Sequence, residues 1–134
     1  MREIKFRAWD KNTERMWDIE TWHIADEYID LIELGKSVAD INAERFWRKQ
    51  SEIIIMQYTG IKDKNGVDIY EGDIVQYGED RYFIFVVTFK YGCFYAHNIF
   101  GEKFMTDSLL GSLIMSEKVS VIGNIHENTD LLED

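Results

Sequence analysis

The chain has 134 residues, of which 46% are hydrophobic and 14% aromatic. This is enough for one domain with its own apolar core, and too apolar for a disordered segment. The formal net charge of −10 excludes a phosphate-backbone binder that relies on a general excess of lysine and arginine. Average proteins contain about 5% proline, yet this chain has none. We therefore expect a single domain over residues 1–134 whose turns are built without proline.

The cysteine count and the hydropathy pattern predict a compartment. Cys93 is the single cysteine, so no intrachain disulfide can form and a reducing environment is expected. The opening MREIKFRAWD lacks the apolar core of a signal peptide. The longest apolar stretch, Tyr82–Val87, is far shorter than the roughly 20 residues of a membrane-spanning helix. These features predict a cytoplasmic protein with no membrane association.

The first elements predicted are two strands joined as a hairpin. Residues Glu3–Trp9 alternate between apolar and charged side chains, which is the period of a strand with one buried face. Met16–Ile24 provides a second strand, with Trp17 and Ile19 on one face. The polar segment Asp10–Glu14 supplies the turn.

The following segment is harder to interpret. Tyr28–Leu34 fits a short strand and a helical turn equally well. Beyond it, Ser37 or Asp40 can cap a helix, and apolar and long side chains recur at helical spacing at Val38, Ile41, Arg45, Phe46 and Lys49. We predict one amphipathic helix near residues 38–49.

The central third reads as consecutive strands. Ile53–Tyr58 is a short β-branched run that predicts a buried strand. Asp63–Gly66 has the composition of a hairpin turn, with glycine at a left-handed position. The return strand, Val67–Tyr70, leads into Gly72, where we expect a sharp turn before the next strand.

The last third adds further strands. Arg81–Lys90 is strongly β-like on both of its faces, so we expect both to be at least partly covered. Tyr91-Gly92 turns the chain into a partner strand, Cys93–Phe100. A closing strand is expected to contain Val119 and Val121.

One short helix is predicted between these elements. Thr106–Ser116 carries leucines and isoleucine at helical spacing, behind the candidate caps Thr106 and Asp107. Taken together, the elements predict a mainly β fold of the β-rich α+β class. It contains an SH3-like barrel element around the strands of residues 53–90, an N-terminal hairpin and one or two short helices.

Three stretches carry a family resemblance. They are KFRAWD (Lys5–Asp10), MQYTGIKDKNGVDIYEGDIV (Met56–Val75) and VIGNIHENTDLL (Val121–Leu132). Together they resemble the YopX family, small proteins encoded largely by bacteriophages and prophages. The resemblance implies a β-rich fold with an SH3-like barrel element and a phage or prophage origin. It implies no established activity and provides no catalytic or binding residue. The chain departs from the family pattern at His126, where an aromatic is usual, and at Thr129, where a proline is usual.

Four carboxylates close together in sequence suggest one catalytic hypothesis. They are Asp63, Asp68, Glu71 and Asp73. Such a group could serve a small metal-dependent hydrolase. The interpretation we favour is that Asp63 and Asp73 bond backbone amides of their own turns and that the others are solvated.

The cysteine and the histidines suggest no catalytic pair. On a regular strand Cys93 and His97 face the same side but stand about 13 Å apart, too far to share a metal ion or a proton. Cys93 is expected to pack in the interior. No phosphate-binding or dinucleotide-binding motif occurs. We therefore expect no catalytic residue, no metal and no cofactor.

A basic strip at the amino terminus suggests a nucleic-acid site. Its residues are Arg2, Lys5, Arg7, Trp9, Lys11 and Arg15. Such a strip could hold phosphates and stack a base. The other interpretation is that the charges form the solvated face of an edge strand and that the aromatics pack. Residues 101–134, by contrast, contain two basic and seven acidic residues.

The leading hypothesis is a non-enzymatic phage accessory protein. It binds a host or phage macromolecule, with a protein partner favoured, through exposed aromatic and acidic side chains, and self-association is compatible with the same surface. The alternatives are a single-stranded nucleic-acid-binding small barrel and a metal-dependent hydrolase.

Overall fold

A computed structural model describes residues 2–100, 107–115 and 117–133. The chain divides into two compact units. The N-terminal unit is Ile4–Gln57, and the C-terminal unit is Tyr58–Asp134 together with Met1–Glu3. The strands and the helix are β1 (Phe6–Asp10), β2 (Arg15–His23), β3 (Tyr28–Glu33), β4 (Arg45–Lys49), β5 (Ile53–Lys62), β6 (Asp68–Tyr70), β7 (Asp73–Tyr77), β8 (Ile84–Lys90), β9 (Cys93–Asn98), β10 (Asp107–Leu109), α1 (Leu110–Ile114) and β11 (Val119–Asn124). Short 3₁₀ turns follow β4, at Gln50–Glu52, and β11, at Thr129–Leu132.

The N-terminal unit is an antiparallel sheet. Its strand order is β4-β3-β2-β1-β5, in which β5 contributes residues 53–57. The predicted hairpin of β1 and β2 is confirmed, with Ala8 opposite Trp17. The segment Tyr28–Leu34, whose sequence fits a strand and a helical turn equally well, contains strand β3. This strand is hydrogen-bonded to β2 on one side and to β4 on the other.

One face of this sheet forms an apolar core. Its buried members are Ala8, Trp17, Ile29, Leu31 and Ile53. Trp17 packs edge-to-face against Phe46, with ring centroids 4.5 Å apart, and its indole N–H donates to the hydroxyl of Thr13 at 3.1 Å. The indole ring of Trp17 is thus packed against another aromatic ring, and its N–H has a hydrogen-bond acceptor.

The helix predicted near residues 38–49 is wrong. Residues 38–44 form turns and Arg45–Lys49 is strand β4. The candidate cap Asp40 accepts a hydrogen bond from the amide of Asn42 at 2.9 Å, the short-range bond of a turn. Val38 and Ile41, expected on the buried helical face, are 67% and 90% exposed. Phe46 lies opposite Leu31 in the β3–β4 ladder, and this packing outweighs the helical spacing of the sequence.

The C-terminal unit contains a second antiparallel sheet, with the order β10-β9-β8-β7-β11. Residues 58–62 of β5 pair with β6 as the predicted hairpin. The described part of the sheet is open, with β10 and β11 as its edge strands. The core of this unit comprises Ile69, Val75, Phe85, Val87, Ala96, Leu110, Leu113 and Val119. The mainly β fold class and the strands expected within residues 53–90 are confirmed.

The predicted second helix exists but is shorter than expected. Helix α1 spans Leu110–Ile114 and buries Leu110 and Leu113. Asp107, expected as its cap, lies in β10 opposite His97. No side chain caps the helix at Leu109. The other candidate cap, Thr106, lies outside the described residues.

A buried carboxylate joins the central hairpin to the last strand. Asp63 is 7% exposed. One of its oxygens accepts from the amides of Asn65 and Val67, at 2.8 and 2.9 Å, and the other accepts from the amide of Val121 at 2.8 Å. Gly66 has a φ of +81°, the left-handed geometry that the turn sequence predicts. Asp63 therefore has the turn role expected of it, and it also binds β11.

We expect replacement of Asp63 by alanine to lower the free energy of unfolding by about 3 kcal/mol, since three amides lose a charged acceptor. Guanidinium unfolding followed by circular dichroism measures this. The matched control is Asp68→Ala, which removes a partly exposed ion pair with Lys62 and should cost less than about 1 kcal/mol. Equal losses in the two variants would contradict the assignment.

Candidate functional site

A concavity of the N-terminal unit lies at one end of its sheet. It has a volume of about 910 Å³. Its lining comes from the β2–β3 turn, from β3 and β4, and from the 3₁₀ turn that follows. The residues are Asp26, Glu27, Tyr28, Asp30, Trp47, Lys49, Gln50 and Ser51. We call this feature the aromatic–acidic groove.

Two aromatic side chains form the apolar part of the groove. Trp47 is 58% exposed, and its ring lies edge-on to that of Tyr28, with centroids 6.1 Å apart. His23 stacks on the opposite side of Tyr28 at a centroid distance of 4.0 Å. The three rings lie along a diagonal across β2, β3 and β4. His23 is opposite Tyr28 in the β2–β3 ladder, and Trp47 lies two residues before the β4 residue that is opposite Tyr28. The groove therefore has an aromatic platform with an exposed edge.

Carboxylates give the groove its charge. Asp30 lies directly opposite Trp47 in the β3–β4 ladder and accepts a hydrogen bond from Nε2 of His23 at 2.8 Å. Glu27 occupies the left-handed region, with a φ of 56°, and its carbonyl accepts from the amide of Gln50 at 2.9 Å. With Asp26, three carboxylates and the single ammonium of Lys49 line the groove. This composition attracts a cation and repels a phosphate.

The sequence-predicted basic strip is not assembled as one face. In β1, Arg7 and Trp9 point to one side and Ala8 to the other, because successive strand residues alternate. Arg15 shares the face of Trp17, and its guanidinium lies over that ring at 4.6 Å. It also pairs with Glu44 at 3.5 Å.

The remaining strip residues are also dispersed. The ammonium of Lys11 donates to the carbonyl of Ser51 at 3.2 Å. A terminal nitrogen of Arg7 contacts the sulfur of Met56 at 3.9 Å. Lys5 precedes β1, and Arg2 belongs to the C-terminal unit. Nucleic-acid binding by this strip stays a prediction, and the arrangement adds nothing in its favour.

The central carboxylates have the local partners that the turn interpretation expects. Asp73 accepts from the amide of Tyr70 at 2.8 Å, Asp68 pairs with Lys62, and Asp63 binds the three amides described above. Within the part of the chain that the structure describes, no three His, Cys, Asp or Glu side chains form a group that could hold a metal ion.

A second polar cluster lies on the C-terminal sheet. Asp107 binds Nδ1 of His97 at 2.6 Å and also the ammonium of Lys90. The hydrogen bonds from Lys90 and His97 hold the pKa of Asp107 below its ordinary value. The expectation that Cys93 packs in the interior is wrong, because it is exposed at the β8–β9 turn, opposite Lys90. His97 and Cys93 lie at opposite ends of β9, as strand spacing predicts.

No pattern in the sequence predicts the aromatic–acidic groove. Trp47 falls within the predicted helix, and the segment that begins at Tyr28 fits a strand and a helical turn equally well. Residues Arg45–Lys49 run charged, aromatic, aromatic, charged, charged, which is not an alternation with a period of two. Only the burial of β4 alternates, between exposed and half-buried residues, so helical spacing over a longer window is the stronger signal in the sequence.

Comparison with known proteins identifies the family. A sequence model of the YopX protein matches residues 5–133. The chain belongs to the YopX family. A solved structure, that of protein EF1440 from Enterococcus faecalis, is similar at 26% identity, with a TM-score of 0.67 over 99% of this chain and 100% of that one. No curated protein matches. Among the described residues, none of the helices has the length and hydropathy of a membrane span.

The family motifs of this chain contain side chains that stabilise its turns. Asp10 ends KFRAWD and is fully buried, and Asp63 belongs to the central motif. In the last motif, Asn124 accepts from the amides of His126 and Glu127 at 3.0 and 2.9 Å, and Asn128 accepts from the amide of Asn124 at 3.1 Å. Each motif thus supplies a side chain that organises a turn, while the groove residues Tyr28 and Trp47 lie outside all three.

Asp10 predicts an acid response of the N-terminal unit. Burial alone raises the pKa of Asp10, but hydrogen bonds from Thr13 and Arg48 outweigh it and bring the pKa below its ordinary value. A carboxyl with a lowered pKa stabilises the fold above its unfolded-state pKa of about 3.9. That contribution is lost as the pH falls through the folded-state value.

We expect Asp10→Asn to be less stable than the parent at pH 7 by about 2 kcal/mol, and to lose less stability between about pH 5 and pH 2. All four tryptophans, Trp9, Trp17, Trp22 and Trp47, lie in the N-terminal unit, so tryptophan fluorescence during denaturation reports on it. Glu133→Gln, at an exposed position, is the control. Parallel acid profiles for parent and Asp10→Asn would refute this role.

Proposed function

We propose that this YopX-family protein is a non-enzymatic phage or prophage accessory protein that binds a protein partner at the aromatic–acidic groove. The partner supplies a lysine- or arginine-containing segment. The observation that carries the proposal is Trp47, 58% exposed on a platform with Tyr28 and directly opposite the carboxylate of Asp30.

The exposed tryptophan supports a binding role. Tryptophan has a large apolar surface and is enriched among the residues that contribute most to protein interfaces. Trp17, by contrast, belongs to the core of the same sheet and is fully buried. A tryptophan left half-exposed inside a concave site therefore favours a surface that a partner covers.

The charges around Trp47 support a cationic partner. A guanidinium or ammonium is attracted to the face of an indole ring, and three carboxylates of the groove add Coulombic attraction. A phosphate backbone would be repelled by the same groups. The groove therefore favours a basic protein segment over a nucleic acid, and the unit's own Arg15 and Arg48 already adopt this geometry, over Trp17 and Phe46.

Binding of a defined peptide tests the proposal. The probe is a fluorescein-labelled, end-blocked pentapeptide (serine, valine, arginine, valine, serine), measured by fluorescence anisotropy with the full chain. We expect saturable binding that weakens with added salt, and a loss of about tenfold or more in affinity for Trp47→Ala.

The matched control is Tyr91→Ala, which removes an aromatic side chain that is 88% exposed but lies on the β8–β9 turn. It should bind like the parent. The same pentapeptide with glutamate in place of arginine should not bind. Equal affinity of Trp47→Ala and the parent for the arginine peptide would overturn the proposal.

A further inference from the structure

Resting on the proposed function, we further infer how the partner is held. The partner segment binds as an added β-strand along the outer edge of β4, with one cationic side chain opposite Trp47 on the groove face and apolar side chains on the other face. The inference concerns the backbone of β4, whereas the proposed function concerns its side chains.

The hydrogen bonds of the β3–β4 ladder establish which backbone groups of β4 face outward. The carbonyl of Glu44 accepts from the amide of Glu33 at 2.9 Å, and the amide of Gln50 donates to the carbonyl of Glu27 at 2.9 Å. In an antiparallel ladder, alternate residues direct both backbone groups to the partner strand and the others direct both away from it. Arg45, Trp47 and Lys49 therefore present their amides and carbonyls to the outer edge of β4, where the carbonyl of Trp47 also accepts from a terminal nitrogen of Arg48 at 3.3 Å.

In the C-terminal sheet, one of the two edge strands is covered. The outer edge of β11 is covered by the central hairpin, where the carbonyl of Val119 accepts from the amide of Lys64 at 3.0 Å and the amide of Val121 donates to Asp63. Proteins cover or charge their strand edges to prevent uncontrolled pairing. Among the described strands, β4 pairs only with β3. Its outer edge therefore offers backbone donors and acceptors beside the groove.

The side chains near this edge specify the partner's pattern. A strand added to β4 lies about 4.8 Å from it, so an arginine placed opposite Trp47 can lay its guanidinium over the indole towards Asp30. The alternate residues of the added strand lie on the other face, beside Phe46, whose ring is already covered by Arg48 at 4.2 Å. The groove-face residues two positions before and after this arginine lie opposite Arg45 and Lys49 of β4, where a second cation would be repelled. A segment with one arginine opposite Trp47, uncharged polar residues at these two positions and apolar residues on the other face therefore fits β4.

A second copy of the chain fits this edge less well. Antiparallel pairing of two β4 strands centred on Trp47 would place Arg45 of each copy opposite Lys49 of the other. Like charges directly opposite one another destabilise a strand pair. The occupant is therefore a segment of another protein, and self-association through β4 is one of the outcomes that the test resolves.

The added strand predicts which peptide amides matter. A residue opposite Trp47 shares its face and directs its N–H towards β4, so in the pentapeptide the arginine amide faces β4 and the valine amides face solvent. We expect N-methylation of the arginine amide to weaken binding about tenfold or more, and N-methylation of the valine amides to leave it within about twofold.

A backbone change in the protein gives the reciprocal test. Lys49 has a φ of −66°, which a proline adopts without strain. Lys49→Pro removes one outward amide donor while leaving the β3–β4 bonds in place, and Lys49→Ala removes the same charge but keeps the amide. We expect Lys49→Pro to bind the peptide about fivefold more weakly than Lys49→Ala, with the same thermal unfolding curve.

The outcomes separate the two proposals. If both methylated peptides bind alike and Lys49→Pro equals Lys49→Ala, the added strand is refuted, while loss of binding in Trp47→Ala still supports the groove. If Lys49→Pro is unfolded, the pair of methylated peptides on the parent protein decides the question. If sedimentation at micromolar concentration shows a dimer that Lys49→Pro abolishes, β4 pairs with a second copy and the proposed occupant is wrong.

Discussion

The carboxylate of Asp63 is the interaction on which the C-terminal unit most depends. A buried aspartate accepting three backbone amides is stable only when all its donors are in place, because an unpaired buried charge is costly. Two of the donors belong to its own hairpin and the third to β11, 58 residues later. One side chain therefore determines the turn geometry and also covers an edge strand. Asp10 has a related role in the N-terminal unit, where it joins the β1–β2 turn to Arg48 of β4.

These two aspartates explain what the family motifs of this chain do. KFRAWD and the central motif contain Asp10 and Asp63, and the last motif contains Asn124 and Asn128, which hold the turn after β11. Gly123 adjoins this turn, and a Cβ there would lie 2.5 Å from the side-chain oxygen of Asn128. The motifs therefore specify a scaffold. The groove lies elsewhere, in β3, β4 and their flanking turns, so recognition of the family carries no information about it.

The contrast between the covered edge of β11 and the outer edge of β4 connects fold to function. Edge strands are either paired, covered or charged, and β4 is charged. Its arginines are engaged internally, Arg45 by Glu20 at 2.7 Å and Arg48 by Asp10 at 3.1 Å. Their charges are thereby offset. No described strand pairs with the outer edge of β4, where the carbonyl of Trp47 accepts from Arg48 at 3.3 Å. The proposed partner segment uses that edge for its backbone and the groove for its cationic side chain.

The parts of the protein that its sequence predicts are those whose structure depends on local chemistry. Alternation predicted β1, β-forming side chains on both faces predicted β8, and turn composition predicted the hairpin at Asp63–Gly66 and the turn into β9, because strand propensity and a left-handed glycine act within a few residues. β4 and the groove depend on tertiary contacts. Val38, Ile41 and Phe46 have helical spacing, but Phe46 packs on Trp17 and pairs with Leu31, partners that are distant along the chain. Burial of an aromatic ring against such neighbours outweighs the small propensity difference between helix and strand. The spacing of residues along the chain does not reveal these long-range contacts.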